Sequence, residues 1–208
     1  MNVAVQHSSS SRLPPVLAVG GRFGKYSPEP ERDIRKPDVV ADQTLAALLK
    51  ALRTFLHEEG SPYAAPTYKR AVSLAKKLRY SSTDVEKLSL AMAELQDEKG
   101  FEVMAGFFLS ALINKGPDGC YVLHVNHLKV PLGNLCVNNV KDVTIEGDVG
   151  FGLGCEMKKG VIRVEGNADS LTGDGMRGGE IHVDGTVRNL GQDLRGGKIY
   201  QAGVLIYG

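Results

Sequence analysis

Five histidines and three cysteines are the side chains of this 208-residue sequence best suited to ligating a metal or attacking a substrate. His124 and His127 have H-x-x-H spacing, but on a β-strand this spacing directs the two imidazoles to opposite faces. No C-x-x-C occurs, and Cys120, Cys136 and Cys155 fit neither a metal or cluster site nor a disulfide framework. We interpret them as reduced thiols. No spacing pairs a nucleophile with a histidine base, so the sequence predicts no catalytic, cofactor-binding or metal-ligating residues.

The run Gly150-Phe151-Gly152-Leu153-Gly154 is a literal G-x-G-x-G. Such glycines hold a phosphate group where a helix follows them, but no helical pattern follows Gly154. Glycines instead recur at every sixth or seventh residue, which is typical of turns between short strands. These corner glycines are Gly147, Gly154, Gly160, Gly166, Gly173, Gly179, Gly185, Gly191, Gly197 and Gly203. We interpret them as structural corners and not as a ligand cradle.

A repeat of 18 to 19 residues organises the second half of the chain. Val143, Ile162, Ile181 and Ile199 open similar apolar-x-apolar segments, at spacings of 19, 19 and 18 residues. Three corners in each repeat describe a three-sided coil, and stacked coils of this kind form a parallel β-helix. The alternation predicts aliphatic ladders inside and polar side chains outside. We expect a right-handed coil, since that connection is the default for parallel strands.

The phrases GCEMKKGVIRVEG and GDGMRGGEIHVDG resemble repeats of a known family. They look like the C-terminal GXGXG-type β-helix domain of the glutamate synthase large subunit, and they are equally similar to the β-helical subunit of formylmethanofuran dehydrogenase. The resemblance spans residues 143 to 203, under a third of the chain, and implies a structural domain beside catalytic ones. The family's nucleophilic cysteine, flavin-binding barrel and cluster-binding cysteines are missing, so its activities are not predicted for this chain.

Charged side chains at equivalent positions of successive repeats predict two outward ladders. Glu146, Glu165 and Asp184 form the acidic ladder, and Lys158, Arg177 and Arg195 form the basic ladder. The acidic ladder would hold a cation or meet a basic partner; a solvated face is the alternative that we favour.

The apolar segment Val204-Leu205-Ile206-Tyr207 leaves the last coil uncovered. We expect this end to dock on another copy of the chain or on another protein.

Residues 41 to 117 predict a bundle of about four helices, ahead of a β part that spans residues 118 to 208. The first helix begins near the N-cap Asp42 and ends at Gly60-Ser61-Pro62, and the second begins at Pro66. The chain is therefore expected to be α+β, with the bundle capping a degenerate first coil.

The third and fourth helices are predicted from a cap and from composition. Thr83 to Glu86 matches a capping box for the third helix, which we expect Gly100 to close. The fourth, from about Glu102 to Ile113, is apolar around most of its circumference, so we expect it to lie at the centre.

Composition restricts the partners. The formal net charge is +1, and basic residues are not interleaved with aromatic ones, so no nucleic-acid partner is predicted. No apolar run reaches the ~20 residues that a membrane helix needs.

The composition of residues 1 to 40 predicts a disordered or partner-ordered tail. We expect a cytoplasmic protein; the alternative is an organelle, because the first 28 residues contain basic but no acidic side chains.

These patterns predict a non-catalytic structural or assembly subunit that presents its β-helix to a larger protein complex. The alternative is an enzyme or enzyme-completing subunit, linked to amidotransferases or glutamate synthase, or a hexapeptide-like transferase with a left-handed coil. Such transferases place metal-binding histidines between subunits, and His182 points outward. Such a left-handed coil needs an aliphatic residue at every sixth position, and Asp193 interrupts that series.

Overall fold

In a computed structural model, which describes residues 42–57 and 66–208, four α-helices precede a parallel β-solenoid of about four turns. The predicted α+β class, the order of the two parts and the coil length of about 19 residues are confirmed. The predicted tail over residues 1 to 40 and the helix end at Gly60-Ser61-Pro62 lie outside the described residues.

The helices begin close to where their caps predict. They are α1 (Gln43–Leu56), α2 (Pro66–Ala75), α3 (Ser82–Ala91) and α4 (Phe101–Lys115), with a 3₁₀ helix over Met92–Leu95 between the last two. The Asp42 side chain accepts a hydrogen bond from the Leu45 N–H at 3.0 Å, which confirms it as the N-cap of α1.

The capping box of α3 differs from the one predicted at Thr83 to Glu86. The Ser81 hydroxyl accepts from the Asp84 N–H, and the Asp84 carboxylate accepts from the Ser81 N–H at 2.8 Å. The helix starts earlier than predicted because Ser81 and Asp84 form the capping box. The Asp118 carboxylate also accepts from the Ser82 N–H at 2.6 Å.

The prediction that Gly100 closes α3 is wrong; Gly100 is the residue before α4, with φ of 76°. Helix α3 ends at Ala91 and continues as the 3₁₀ turn. Helix α4 has buried residues all around its circumference and is the central element of the bundle, as predicted. Phe55 of α1 packs on Phe108 of α4 with ring centroids 5.9 Å apart.

One six-stranded sheet forms the first side of the solenoid. Its strands are β1 (Cys120–His124), β2 (Asp142–Glu146), β3 (Val161–Glu165), β4 (Arg177–Val183), β5 (Gly196–Gln201) and β6 (Val204–Tyr207), in that spatial order. Strands β1 to β5 are parallel, and β6 turns back antiparallel to β5. The first step is the longest, since His124 pairs with Glu146 22 residues later.

Shorter parallel contacts form the other two sides. Leu132, Val149, Ala168 and Val187 bridge in sequence on the second side, and Thr172 bridges to Leu190 on the third. The residues that face inward on the sheet side are buried, as the alternation predicted: Val143, Ile145, Ile162, Val164, Ile181, Val183 and Ile199.

The corner glycines serve two different physical needs. Seven have positive φ: Gly147, Gly154, Gly160, Gly173, Gly179, Gly197 and Gly203. Gly166, Gly185 and Gly191 do not have positive φ. At these three positions the neighbouring coil lies too close to leave room for a side chain. A Cβ at Gly191 would lie 2.2 Å from the Asp174 Cα. Close stacking of coils, and not only the turn, therefore demands glycine.

The bundle and the solenoid share one continuous apolar core. Gly106 of α4 faces Gly133 of the first coil so closely that an added Cβ would lie 1.8 Å from the Gly133 carbonyl oxygen. The Gly133 N–H donates to the Glu102 carbonyl at 2.8 Å, and the Ser110 hydroxyl donates to the Asn134 carbonyl at 2.9 Å. Helix α4 thus lies directly against the first coil.

Candidate functional site

The most exposed apolar surface at the end of the solenoid is strand β6. Among residues 42–57 and 66–208 it pairs only with β5, and it is the last strand in the sheet order. Val204, Leu205 and Ile206 are 65%, 47% and 38% exposed, whereas Tyr207 packs against the core. The structure thus places the predicted docking residues on one edge strand that carries no charge.

The apolar core is less completely buried toward the C-terminal end of the solenoid. On the second side, Leu132, Val149 and Ala168 are buried, but the last member of the row, Val187, is only half-buried. Leu190 and Leu194 of the last coil are likewise half-buried. The solenoid end therefore combines a free strand edge with incompletely covered apolar side chains.

The first coil is covered differently. The His124 N–H at the end of β1 donates to the Ser89 hydroxyl of α3 at 3.0 Å, so a helix occupies this edge. The bundle covers the end that would otherwise expose β1.

A histidine on strand β1 lies next to the first residue of the acidic ladder. Glu146 and Glu165 are register partners, and Asp184 follows Val183, the partner of Val164. His124, the partner of Glu146 on β1, bonds the Glu146 carboxylate at 2.7 Å through Nδ1. The ladder is therefore partly neutralised within the protein.

His124 also bonds the Glu86 carboxylate of α3 through Nε2, at 3.1 Å. Its side chain is only 20% exposed. The hydrogen bonds to Glu86 and then to Glu146 raise the pKa of His124, because both carboxylates favour the imidazolium. We name Glu86, His124 and Glu146 the histidine clamp. It joins the bundle to the solenoid, and no local sequence pattern indicates it, since Glu86 lies 38 residues from His124.

The three residues of the basic ladder have different surroundings. Arg177 pairs with Glu156 at 2.8 Å and Arg195 pairs with Asp193, so both cations are already matched by carboxylates of the solenoid. Lys158 instead lines a groove beside α2 and α4. The structure thus pairs Arg177 and Arg195 with carboxylates and places Lys158 at the groove.

His182 points outward between its predicted neighbours. It pairs with Arg163 and Tyr200 in the register, and its ring stacks on Tyr200 with centroids 4.5 Å apart. Its Nε2 bonds the Glu180 carboxylate at 3.0 Å. This histidine is part of an aromatic and ionic row on the sheet surface.

A row of polar side chains that the repeat pattern did not predict runs along one corner of the solenoid. The Asp148 carboxylate accepts from both the backbone and the side-chain N–H of Asn167, at 2.7 and 2.9 Å. The side-chain amide oxygen of Asn167 in turn accepts from the N–H and hydroxyl of Thr186, each at 2.9 Å. All three residues directly follow corner glycines, a signal that identifies them as coil-to-coil ties.

The solenoid thiols are poor nucleophiles. Burial raises the pKa of Cys136 to about 12, and burial, with the nearby Asp174 carboxylate, raises the pKa of Cys155 to about 12. Cys120 is exposed.

Among residues 42–57 and 66–208, no group of three histidine, cysteine or acidic side chains is arranged to hold a metal ion. Within the same ranges, no helix is both long and apolar enough to cross a membrane.

No protein-family model matches the chain, and no curated protein or solved structure is significantly similar to it. The resemblance of residues 143 to 203 to glutamate synthase and formylmethanofuran dehydrogenase stays a prediction.

Proposed function

We propose that this chain is a non-catalytic assembly subunit that joins a second copy of itself through the C-terminal end of its solenoid. The observation that carries this proposal is the uncharged edge strand β6, with Val204, Leu205 and Ile206 exposed. The structural role implied by the resemblance agrees with it.

An exposed edge strand of this kind is usually protected. Soluble proteins often place lysine or proline on such edges to prevent pairing, but β6 reads Val-Leu-Ile-Tyr and has neither; its pairing with β5 shifts register between Ile199 and Tyr200. Two copies of β6 would pair antiparallel around a two-fold axis. In a two-fold interface both subunits use the same surface, so the surface is complementary to itself. No like charges meet within the strand, and three exposed aliphatic side chains lose contact with water.

The pairing must extend beyond four residues. A stable interface buries about 800 Å² on each partner, which is more than so short a strand supplies. The half-buried Val187, Leu190 and Leu194 at the same end provide the remaining apolar area. We therefore expect the two solenoid ends to stack together.

Sedimentation velocity of the full chain tests the proposal. The wild-type protein is expected to be a dimer, and Val204→Lys is expected to be a folded monomer, because it places two ammonium groups at the two-fold interface. The matched control is Leu90→Lys, since Leu90 is 52% exposed on α3, and it should remain dimeric.

A wild-type chain that remains monomeric up to its solubility limit would refute the proposal. So would a Val204→Lys protein that dimerises as tightly as the wild type. Circular dichroism of both variants verifies that the fold is retained.

A further inference from the structure

A groove of about 430 Å³ lies where helices α2 and α4 meet the solenoid. It is lined by Tyr68, Lys69 and Val72 of α2, Asn114 and Lys115 of α4, and Asn138, Val140 and Lys158 of the coils. Three separate parts of the fold each contribute a lysine. A volume of this size suits a small organic molecule.

The charge of this groove is uncompensated. No acidic residue lines it, and none of Lys69, Lys115 and Lys158 has a carboxylate within 4.0 Å among the described residues. Two other lysines do have one: Lys87 lies 2.7 Å from Asp42, and Lys129 lies 2.8 Å from Asp97. Like charges gathered around a concavity disfavour each other and favour an anion between them.

The polar groups beside the lysines also point to an acceptor ligand. The Tyr68 hydroxyl accepts a hydrogen bond from the Asn114 amide at 2.9 Å, which leaves its own proton free to be donated. Burial raises the pKa of Tyr68, so the hydroxyl keeps that proton. The backbone N–H of Asn138 is bonded to the Cys155 carbonyl, whereas its side-chain amide makes no hydrogen bond within the described part of the chain.

Asn114 holds this arrangement in place. Its amide nitrogen donates to Tyr68 and to the Val137 carbonyl at 2.8 Å, and its amide oxygen accepts from the Val140 N–H at 3.2 Å. The side chain is therefore fully used in joining α4 to the coil, and it positions the tyrosine.

We propose that this groove binds a small phosphomonoester, with the phosphate held by Lys69, Lys115 and Lys158 and the organic part lying on Tyr68 and the flanking valines. A phosphate group carries nearly two negative charges at neutral pH and has three strong acceptor oxygens, which match three ammonium donors and two neutral ones.

Binding of phenyl phosphate to the full chain, measured by isothermal titration calorimetry and by amide chemical shifts, tests this site. Saturable binding is expected, with shifts at Tyr68 and Asn138. Inorganic phosphate is expected to bind more weakly, because it lacks the apolar part. Lys158→Gln and Lys115→Gln should each weaken binding by about fivefold, the size of one exposed ionic contact.

Lys159→Gln is the matched control, since Lys159 is the exposed neighbour of Lys158 and does not line the groove. It should bind as the wild type does. The absence of saturable binding would overturn the proposal, as would equal losses in Lys158→Gln and Lys159→Gln. Binding to phosphatidylserine vesicles without binding of phenyl phosphate would also overturn it, by assigning the lysines to a lipid surface.

Discussion

Replacement of Gly106 by alanine separates what helix propensity predicts from what the tertiary structure predicts. Gly106 lies in the interior of α4, where alanine favours the helix over glycine by about 1 kcal/mol. The structure predicts the opposite sign for the whole protein. The new Cβ would lie 1.8 Å from the Gly133 carbonyl oxygen and 2.9 Å from its carbonyl carbon. Both are backbone atoms, so no rotamer change relieves the overlap.

The helix and the first coil would have to separate by more than about 1 Å to restore ordinary contact. The hydrogen bonds from Gly133 to Glu102 and from Ser110 to Asn134 oppose that movement. Overpacking costs up to about 3 kcal/mol, and one strained hydrogen bond adds about 1 kcal/mol. After the gain in helix propensity, we expect Gly106→Ala to lose about 3 kcal/mol of unfolding free energy.

Urea denaturation followed by circular dichroism measures this loss, with all proteins at one concentration. The midpoint should fall by about 1 M or more. The control is Gly119→Ala, because a Cβ at Gly119 meets no atom within 4 Å, and its free energy should stay within about 0.5 kcal/mol of the wild type. A Gly106→Ala protein that is as stable as the wild type would refute the close approach of α4 and the coil.

The remaining predictions concern titration and thiol reactivity. Because the folded pKa of His124 is raised above its ordinary value of 6.5, the histidine clamp stabilises the fold fully below about pH 6.5 and loses this contribution as pH rises through the folded pKa. Urea midpoints across that range should fall for the wild type and for the control His127→Gln, but not for His124→Gln; parallel profiles for all three would contradict the clamp. Iodoacetamide at about pH 8 should modify Cys120 in the folded protein, and Cys136 and Cys155 only after unfolding, as peptide mass spectrometry will show. Equal labelling of all three in the folded state would contradict their burial.

The solenoid was predictable because its core is one-dimensional. Each coil contacts only its neighbours, so a spacing such as that from Val143 to Ile162 fixes the register, and alternation then fixes which side chains point inward. The corner ties had a similar signal, since Asp148 and Asn167 each follow a corner glycine.

The clamp and the groove were not predictable, because they depend on how the bundle meets the solenoid. The repeat placed Lys158 in a row with Arg177, but the neighbours that decide its role, Lys69 and Lys115, come from helices outside the repeat. The same holds for Gly106, which must lack a side chain because the backbone of Gly133 lies against it. A periodic pattern determines contacts within the repeat and leaves contacts to other elements open.

The two ends of the solenoid together determine what kind of assembly is expected. A solenoid that stacked head to tail would require its last strand to pair with β1 of the next copy, which produces open filaments. Helix α3 prevents this, because Ser89 and Glu86 already bond His124 at the end of β1. At the other end, β6 runs antiparallel to β5; in the proposed dimer it pairs with its own copy around a two-fold axis. Since one end is covered by the bundle and the other is self-complementary, association through β6 is expected to stop at a closed dimer.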